Sequence, residues 1–313
     1  MYYFIINPKS RTGMGAEVWQ QVQAKINQKK LPYHHFFTEY RGHATKLAKN
    51  ICSQAAPGDF LTVIGGDGTI QEVLTGIPFE SPIFFAYIPA GSGNDFARGM
   101  EIPKNPKEAL KLLLSRPKPI PMDVGTIRAE NRTGAFGISC GMGFDAAICH
   151  AALSSRMKAV LNRIHMGKLT YAFLAVRLLF SFRPFTLSLT LDGKTQTYEK
   201  VYFAAVMNQP FEGGGFCFCP AARSDDGFLD VILVHKVSKL KLLFCFPTAL
   251  FARHTGIKGV TIFRCRRAEL ISSHPVPIHQ DGEFAGIGNR LTADLRPQQL
   301  PVISSRKQSA RQF

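Results

Sequence analysis

Two almost wholly apolar runs, Phe60 to Ile64 and Ile83 to Ile88, each pass straight into a glycine-rich segment. This pairing constrains the fold more than any other feature of the chain. A run without polar alternation has no solvent face, so it reads as a parallel strand covered on both sides. A glycine-rich segment at the carboxyl end of such a strand is where open α/β sheets bind ligands. The neighbouring sequence agrees. Tyr2 to Ile6 and Tyr33 to Phe37 read as further strands, and Asn7-Pro8 turns the chain after the first. Val18, Val22 and Ile26, and then Ala44, Leu47, Ala48 and Ile51, recur at helical spacing. Asn105-Pro106 with Glu108 predicts a helix start, with Leu110, Leu113 and Leu114 as its buried stripe. Strand and helix in alternation imply a parallel sheet with helices on both faces. This α/β domain is expected to span residues 1–123.

Past Asp123 the pattern changes. Phe185 to Leu191 alternates with period two, and Asp192-Gly193 follows as a hairpin turn. Tyr202 to Met207, Phe228 to Val234 and Val260 to Cys265 read as strands. Helical stretches are expected at about Met157 to Phe180 and Leu240 to Phe251. Residues 124–291 therefore read as a mainly antiparallel domain. The segment near 292–303 is a candidate to return to the first domain, and 304–313 is expected to be a disordered tail. A length of 313 residues suits two domains.

Composition narrows the partners. A hydrophobic content of 45% excludes wholesale disorder. A net charge of +16 attracts nucleic acid, anionic headgroups or anionic small substrates, and does not choose among them. No aromatic-basic interleaving or nucleic-acid motif is present, so no nucleic-acid partner is expected. The seven cysteines are scattered without C-x-x-C spacing, which fits reduced thiols in a cytosolic protein. The opening strand has no basic segment before it, so no signal peptide is expected. Leu169 to Phe182 is too short to span a bilayer. Trp19 reads as core, and His34-His35 lacks a third metal ligand.

The chemistry lies in the two glycine segments. Gly65-Gly66-Asp67-Gly68-Thr69 joins a strand to a helix. Glycines let backbone N–H groups approach a phosphate, and a helix start favours negative charge. Thr69 adds a hydroxyl. Asp67 would repel phosphate unless Mg²⁺ lies between them; alternatively it caps a turn. The P-loop spacing is absent. Pro89-Ala90-Gly91-Ser92-Gly93-Asn94-Asp95 follows the next strand with glycines, a serine, an amide and a carboxylate. Two such loops on neighbouring strands point to a nucleotide site.

At this level the sequence resembles the diacylglycerol kinase catalytic-domain family, in its soluble bacterial lipid-kinase branch, with sphingosine kinases as relatives and NAD kinases as distant kin. Carrying the resemblance are Asn7-Pro8-Lys9-Ser10, Gly65 to Glu72, Gly91 to Phe96, Met122-Asp123-Val124-Gly125, Asn208, Gly213-Gly214-Gly215, Pro220-Ala221, Asp225-Asp226-Gly227 and Asp281-Gly282-Glu283. The resemblance implies an NAD kinase- and phosphofructokinase-like α/β domain followed by a β-sandwich, with ATP in the cleft between them. It assigns ATP contacts to Asn7, Pro8, Lys9, Ser10, Thr38, Gly65, Gly66, Asp67, Gly68, Thr69, Ile70, Gln71, Glu72, Ser92 and Asn94. It places Asp67, Asp95 and Asp123 in an acidic network with Mg²⁺. A structural Mg²⁺ would take the Asp226 carboxylate and the carbonyls of Arg223 and Phe228. Arg11-Thr12 stands where many members have an early glycine.

Asp281-Gly282-Glu283 supplies two carboxylates. In an extended segment both would point to one side and face the cleft. The resemblance assigns a base here, with Glu283 the usual residue and Asp281 its neighbour. A lipid substrate implies a peripheral position on an anionic membrane, at the cytoplasmic face. An interfacial helix is expected from Arg156, Lys158, Arg163 and Lys168 among Leu161, Ile164 and Leu169. A homodimer is possible. Two other functions fit parts of the sequence: an NAD kinase-like small-molecule kinase, and a non-catalytic protein binding nucleotide and membrane.

Overall fold

In the computed structural model, residues 1–130, 132–154 and 176–306 are described. The expected interfacial helix and the tail from Lys307 lie outside them, as does most of the stretch from Met157 to Phe180.

The first half winds as β1 (Tyr2–Ile6), α1 (Met14–Gln28), β2 (Tyr33–Phe37), α2 (His43–Cys52), β3 (Phe60–Gly65), α3 (Asp67–Gly76), β4 (Phe84–Pro89), α4 (Asp95–Gly99), α5 (Pro106–Leu114) and β5 (Ile120–Met122). β3 is buried along its whole length, as its lack of alternation requires. The α5 start is capped as its sequence predicts: the Asn105 side chain accepts a hydrogen bond from Lys107 N–H at 2.9 Å. Trp19 is buried against Phe4 and Tyr33.

The second half begins with β6 (Gly125–Ala129), β7 (Arg132–Phe136), β8 (Ser139–Gly143) and α6 (Phe144–Ser154). It continues through β9 (Phe185–Leu191), β10 (Lys194–Met207), β11 (Phe211–Glu212), β12 (Phe216–Cys217), β13 (Leu229–His235) and α7 (Lys239–Ala249). β14 (Val260–Cys265), β15 (Arg267–Gln280), β16 (Glu283–Leu295) and β17 (Leu300–Val302) complete it. Nine of these strands, β6 to β10 and β13 to β16, form an antiparallel sheet that closes on itself, with the β11–β12 ribbon and β17 outside it. The long strands make the closure. β10 pairs with β9 through its first half and with β8 and β13 through its second, and β15 likewise pairs with β9 and then β8. Register shifts at Val201/Phe203 and Ile271/Val276 bend them between the two layers. An apolar core that includes Phe136, Phe185, Leu233 and Leu270 fills the sandwich.

The six-stranded sheet runs β2-β1-β3-β4-β17-β5, so the last strand of the chain lies between β4 and β5. Only 300–302 make this return; residues 292–295 finish β16 in the sandwich. Order also continues past 303, where a tail was expected. Ser304 is buried and donates its hydroxyl to Met100 C=O. Arg296, between β16 and β17, donates to the carbonyls of Leu74 and Ile77 at the end of α3 at 2.7 and 3.0 Å. That guanidinium satisfies helix-end carbonyls and ties the two domains together. Among the described residues, no helix is long and apolar enough to cross a membrane, and all seven cysteines are free.

Candidate active site

The two glycine loops touch. A Cβ built on Gly91 would lie 2.6 Å from Gly66 Cα, so neither loop has room for a side chain at the contact. Tyr87, on β4, fastens them: its hydroxyl donates to Gly65 C=O at 3.0 Å and meets Asn94 Oδ1 at 2.9 Å. Asn94 has a left-handed backbone (φ 52°), and its amide bonds both ends of Gly91. Its side chain therefore holds the loop in shape.

Asp67 does act as a cap, but across the gap. Its carboxylate accepts from the N–H groups of Asp95 and Phe96 at 3.2 and 3.1 Å, at the start of α4. Burial, and then the charge of Asp95, push its pKa up to about 6. Asp95 is also raised by burial, although Gly214 N–H donates to it at 2.6 Å and Arg98 pairs with it. Gly214 is the middle of three glycines that all have positive φ, a backbone path that side chains would oppose. The two carboxylates converge on Gly93, where a Cβ would lie 3.2 Å from Asp67 Oδ2 and 3.6 Å from Asp95 Oδ2, and paired carboxylates are the donor type that a hard divalent cation takes.

Asn7 and Thr69 meet from β1 and α3, with Asn7 Nδ2 donating to Thr69 Oγ1 at 3.1 Å. Thr38 joins them because its N–H continues the β2–β1 pairing to Ile6 C=O. Ser10 is buried in the turn after Pro8, Lys9 is exposed beside it, and Ser92 is exposed on the second loop. Arg11 and Thr12 have φ of 43° and 60°. The missing glycine is thus at positions that still take the left-handed path, at a cost of about 1 kcal/mol each. Three predicted contacts turn away from the loops. Ile70 is fully buried in the α/β core, and Gln71 bonds Thr75 along the helix. Glu72 accepts from Ala44 N–H at 3.2 Å, capping α2.

Asp281-Gly282 is a hairpin turn, not an extended segment. Both residues have positive φ (49° and 75°), and Gln280 pairs with Glu283 across it. The two acids consequently diverge. Asp281 turns inward, where its carboxylate accepts from the N–H groups of Ile138, Ser139 and Gly137 at 2.8, 2.9 and 3.0 Å. Burial pushes its pKa up to about 7 against the pull of those donors. Glu283 is part-exposed and lies across the cleft on Gly68: a Cβ there would be 3.0 Å from Glu283 Oε1. Of the two, only Glu283 faces the phosphate-type loop with a free carboxylate.

Beneath the hairpin lies an ionic cluster that sequence reasoning missed. His279, fully buried on β15, sits 3.0 Å from Asp145 (α6) and 3.1 Å from Glu212 (β11). Burial alone would lower its pKa, but Glu212 and Asp145 outweigh it and hold it at about 9. The cluster fixes the hairpin to the strand that leads into Gly213-Gly214-Gly215. A folded pKa above the unfolded value of about 6.5 means this stability is complete below pH 6.5 and lost as pH rises through 9. Urea unfolding of the wild type is expected to weaken across that window by the order of 3 kcal/mol, and of His279→Gln much less. Equal slopes for the two would remove the assignment.

Asp123 does not join Asp67 and Asp95 by any hydrogen bond; it is tied to the 223–228 turn. It accepts from Gly227 N–H at 2.8 Å and Gln299 Nε2 at 2.7 Å. The Asp226 carboxylate is taken by Arg264 and by Phe228 N–H, and Arg223 is paired with Asp225. Arg264 and Arg266 lie 4.4 and 5.2 Å from the Phe228 ring centre.

A parallel sheet ending in two touching glycine loops, faced by a sandwich hairpin with a free carboxylate, defines a two-domain phosphate-handling fold. The chain matches the diacylglycerol kinase catalytic domain over residues 1–127 and the YegS C-terminal NAD kinase beta sandwich-like domain over residues 139–304. It is 32% identical over 289 residues to a Bacillus subtilis protein named "Putative lipid kinase YtlR", covering 91% of this chain and 94% of that one. It is also 32% identical over 229 residues to a diacylglycerol kinase of Mycobacterium tuberculosis, covering 72% and 71% of the two chains. A crystal structure of a diacylglycerol kinase from Bacillus anthracis superposes with a TM-score of 0.71 at 21% identity, covering 97% and 96%; that likeness concerns the fold. The chain belongs to the diacylglycerol kinase catalytic-domain family, and so to a family of kinases.

Proposed function

We propose that the chain is an ATP-dependent lipid kinase that transfers the γ-phosphate to the hydroxyl of diacylglycerol or a similar lipid alcohol. The observation that carries this reading is the Glu283 carboxylate lying against Gly68, across the cleft from the loop that would hold the phosphates. Glu283 takes the proton of the lipid hydroxyl as its oxygen attacks the γ-phosphorus; the bond to the β–γ bridging oxygen breaks and ADP leaves. The backbone of Gly65 to Thr69 and the N-terminus of α3 hold phosphate oxygens. Asn7 orients the Thr69 hydroxyl toward that loop. Asp67 and Asp95 would hold the Mg²⁺ of the nucleotide, which neutralises phosphate charge during transfer. Asp281 positions the hairpin and does not receive the proton, since its lone pairs are engaged by three N–H groups.

The names of the relatives support a lipid acceptor, and such a substrate places the protein peripherally at a membrane. The test incubates the full chain with γ-labelled ATP and either diacylglycerol or NAD⁺. Labelled phosphatidic acid is expected. Label in NADP⁺ alone, or none in either product, would replace this reading with the small-molecule or the non-catalytic one.

A further inference from the structure

An amphipathic helix at a protein surface turns its polar face to water. α7 does the opposite. Leu242, Cys245 and Ala249 form its buried face, packed on the sandwich beside Phe203 and Phe218. Its outer stripe, Leu240, Phe244 and Pro247 at i, i+4 and i+7, is also apolar. Phe251 continues it in the turn behind. Phe244 and Phe251 are each 74% exposed and Leu240 is 61% exposed, so two aromatic rings stand almost entirely in solvent. Phe180 is 52% exposed and adjoins the helix start, where Lys239 Nζ donates to its carbonyl. A contiguous apolar patch of this kind marks an interaction surface.

Charge selects the occupant. From Val231 to Ala268 the sequence contains no Asp or Glu, while Lys239 and Lys241 lie in the first turn of the helix and Arg253 and Lys258 follow it. Aromatic rings in the middle with lysine and arginine at both ends suit a layer whose interior is apolar and whose surface is anionic. We infer that the outer face of α7 and the turn behind it dock on an anionic lipid bilayer. This rests on the reading of a membrane lipid as substrate, and it gives that substrate a route. Phe246, on the inner side of α7, packs against Phe144 and Phe216. Phe216 follows the glycine turn that holds Asp95, and α6, which begins at Phe144, stacks His150 on Phe284 beside Glu283. Docking through α7 therefore brings the bilayer to the side of the sandwich that carries the hairpin.

The experiment sediments the full chain with vesicles of phosphatidylglycerol and phosphatidylcholine, and separately assays a short-chain, monomerically dispersed diacylglycerol. F244Q/F251Q is expected to bind vesicles roughly tenfold more weakly, or worse, from loss of two inserted rings. K241Q/R253Q should lose roughly fivefold per residue on anionic vesicles only, and less at high salt. Both should turn over the short-chain lipid as the wild type does and keep its thermal midpoint. Unchanged vesicle binding by F244Q/F251Q overturns the docking face. So does a fall in thermal midpoint, which would mean the rings are covered by the chain itself, or a change from dimer to monomer with vesicle binding intact. Failure of the wild type to phosphorylate the short-chain lipid overturns the substrate reading instead, and the two failures are read in different assays.

Discussion

Replacing Glu283 with Gln is expected to lower kcat about a thousandfold, within the range that positioned general bases contribute, while KM for ATP and the unfolding midpoint stay near wild type. The reason is positional. Glu283 is the first residue of β16, part-exposed, and its carboxylate rests on Gly68 without a hydrogen bond to hold the fold together among the described residues. Gln keeps the volume and the hairpin register but cannot take a proton. The substitution thus separates chemistry from folding, and the loss should appear in single-turnover measurements at saturating ATP. A pre-steady-state rate within tenfold of wild type would show that the hydroxyl loses its proton elsewhere. Gly68→Ala gives an independent check. Its Cβ would press on Glu283 Oε1 at 3.0 Å, so it should depress the same rate constant by displacing the carboxylate while the base remains present.

Much of this site was legible because its chemistry is local. β3 and β4 are unalternated, and each runs into glycines, so the loops and the sheet edge that carries them follow from residue type and spacing. That the strands are neighbours was read from the sequence; the close approach of Gly91 to Gly66 was not, because it depends on how far each loop folds over the sheet edge. The hairpin shows a different limit. Asp281-Gly282 carries the same two-residue turn signature as Asp192-Gly193, yet the flanking strands are disguised. Pro275 and Pro277 look like a loop, whereas they lie in β15 next to its register shift at Ile271/Val276. Without the turn, both acids appear to face one way. α6 was hidden for a related reason: Phe144 to Ser154 is apolar on most sides and offers little periodicity. His279, Asp145 and Glu212 come from three distant segments, each with one unremarkable charged residue. No spacing rule joins them; only the folded chain does. The partner of Asp226 in the 223–228 turn was hidden in the same way, since Arg264 reaches it from another strand.

Asp281→Ala is expected to be the most destabilising single change at the site, by about 4–5 kcal/mol, while Asp281→Asn should cost about half as much. Asp281 is 5% exposed, and its carboxylate gathers three consecutive backbone N–H groups, those of Gly137, Ile138 and Ser139, at the join of β7 and β8. Buried N–H donors left without a partner cost about 1–3 kcal/mol each. Alanine removes all three bonds and admits no replacement acceptor. Asparagine keeps one oxygen, which can serve two of the donors, and turns its amide toward the third. A loss of this size is a large part of the 5–15 kcal/mol typical of a folded domain, so the alanine variant should unfold at much lower urea. The residual activity of the folded fraction decides between roles. If Asp281 only positions the hairpin, Asp281→Asn keeps most of its kcat per folded molecule, in contrast to Glu283→Gln. If instead its kcat falls a thousandfold at unchanged stability, Asp281 is the proton acceptor and Glu283 its support.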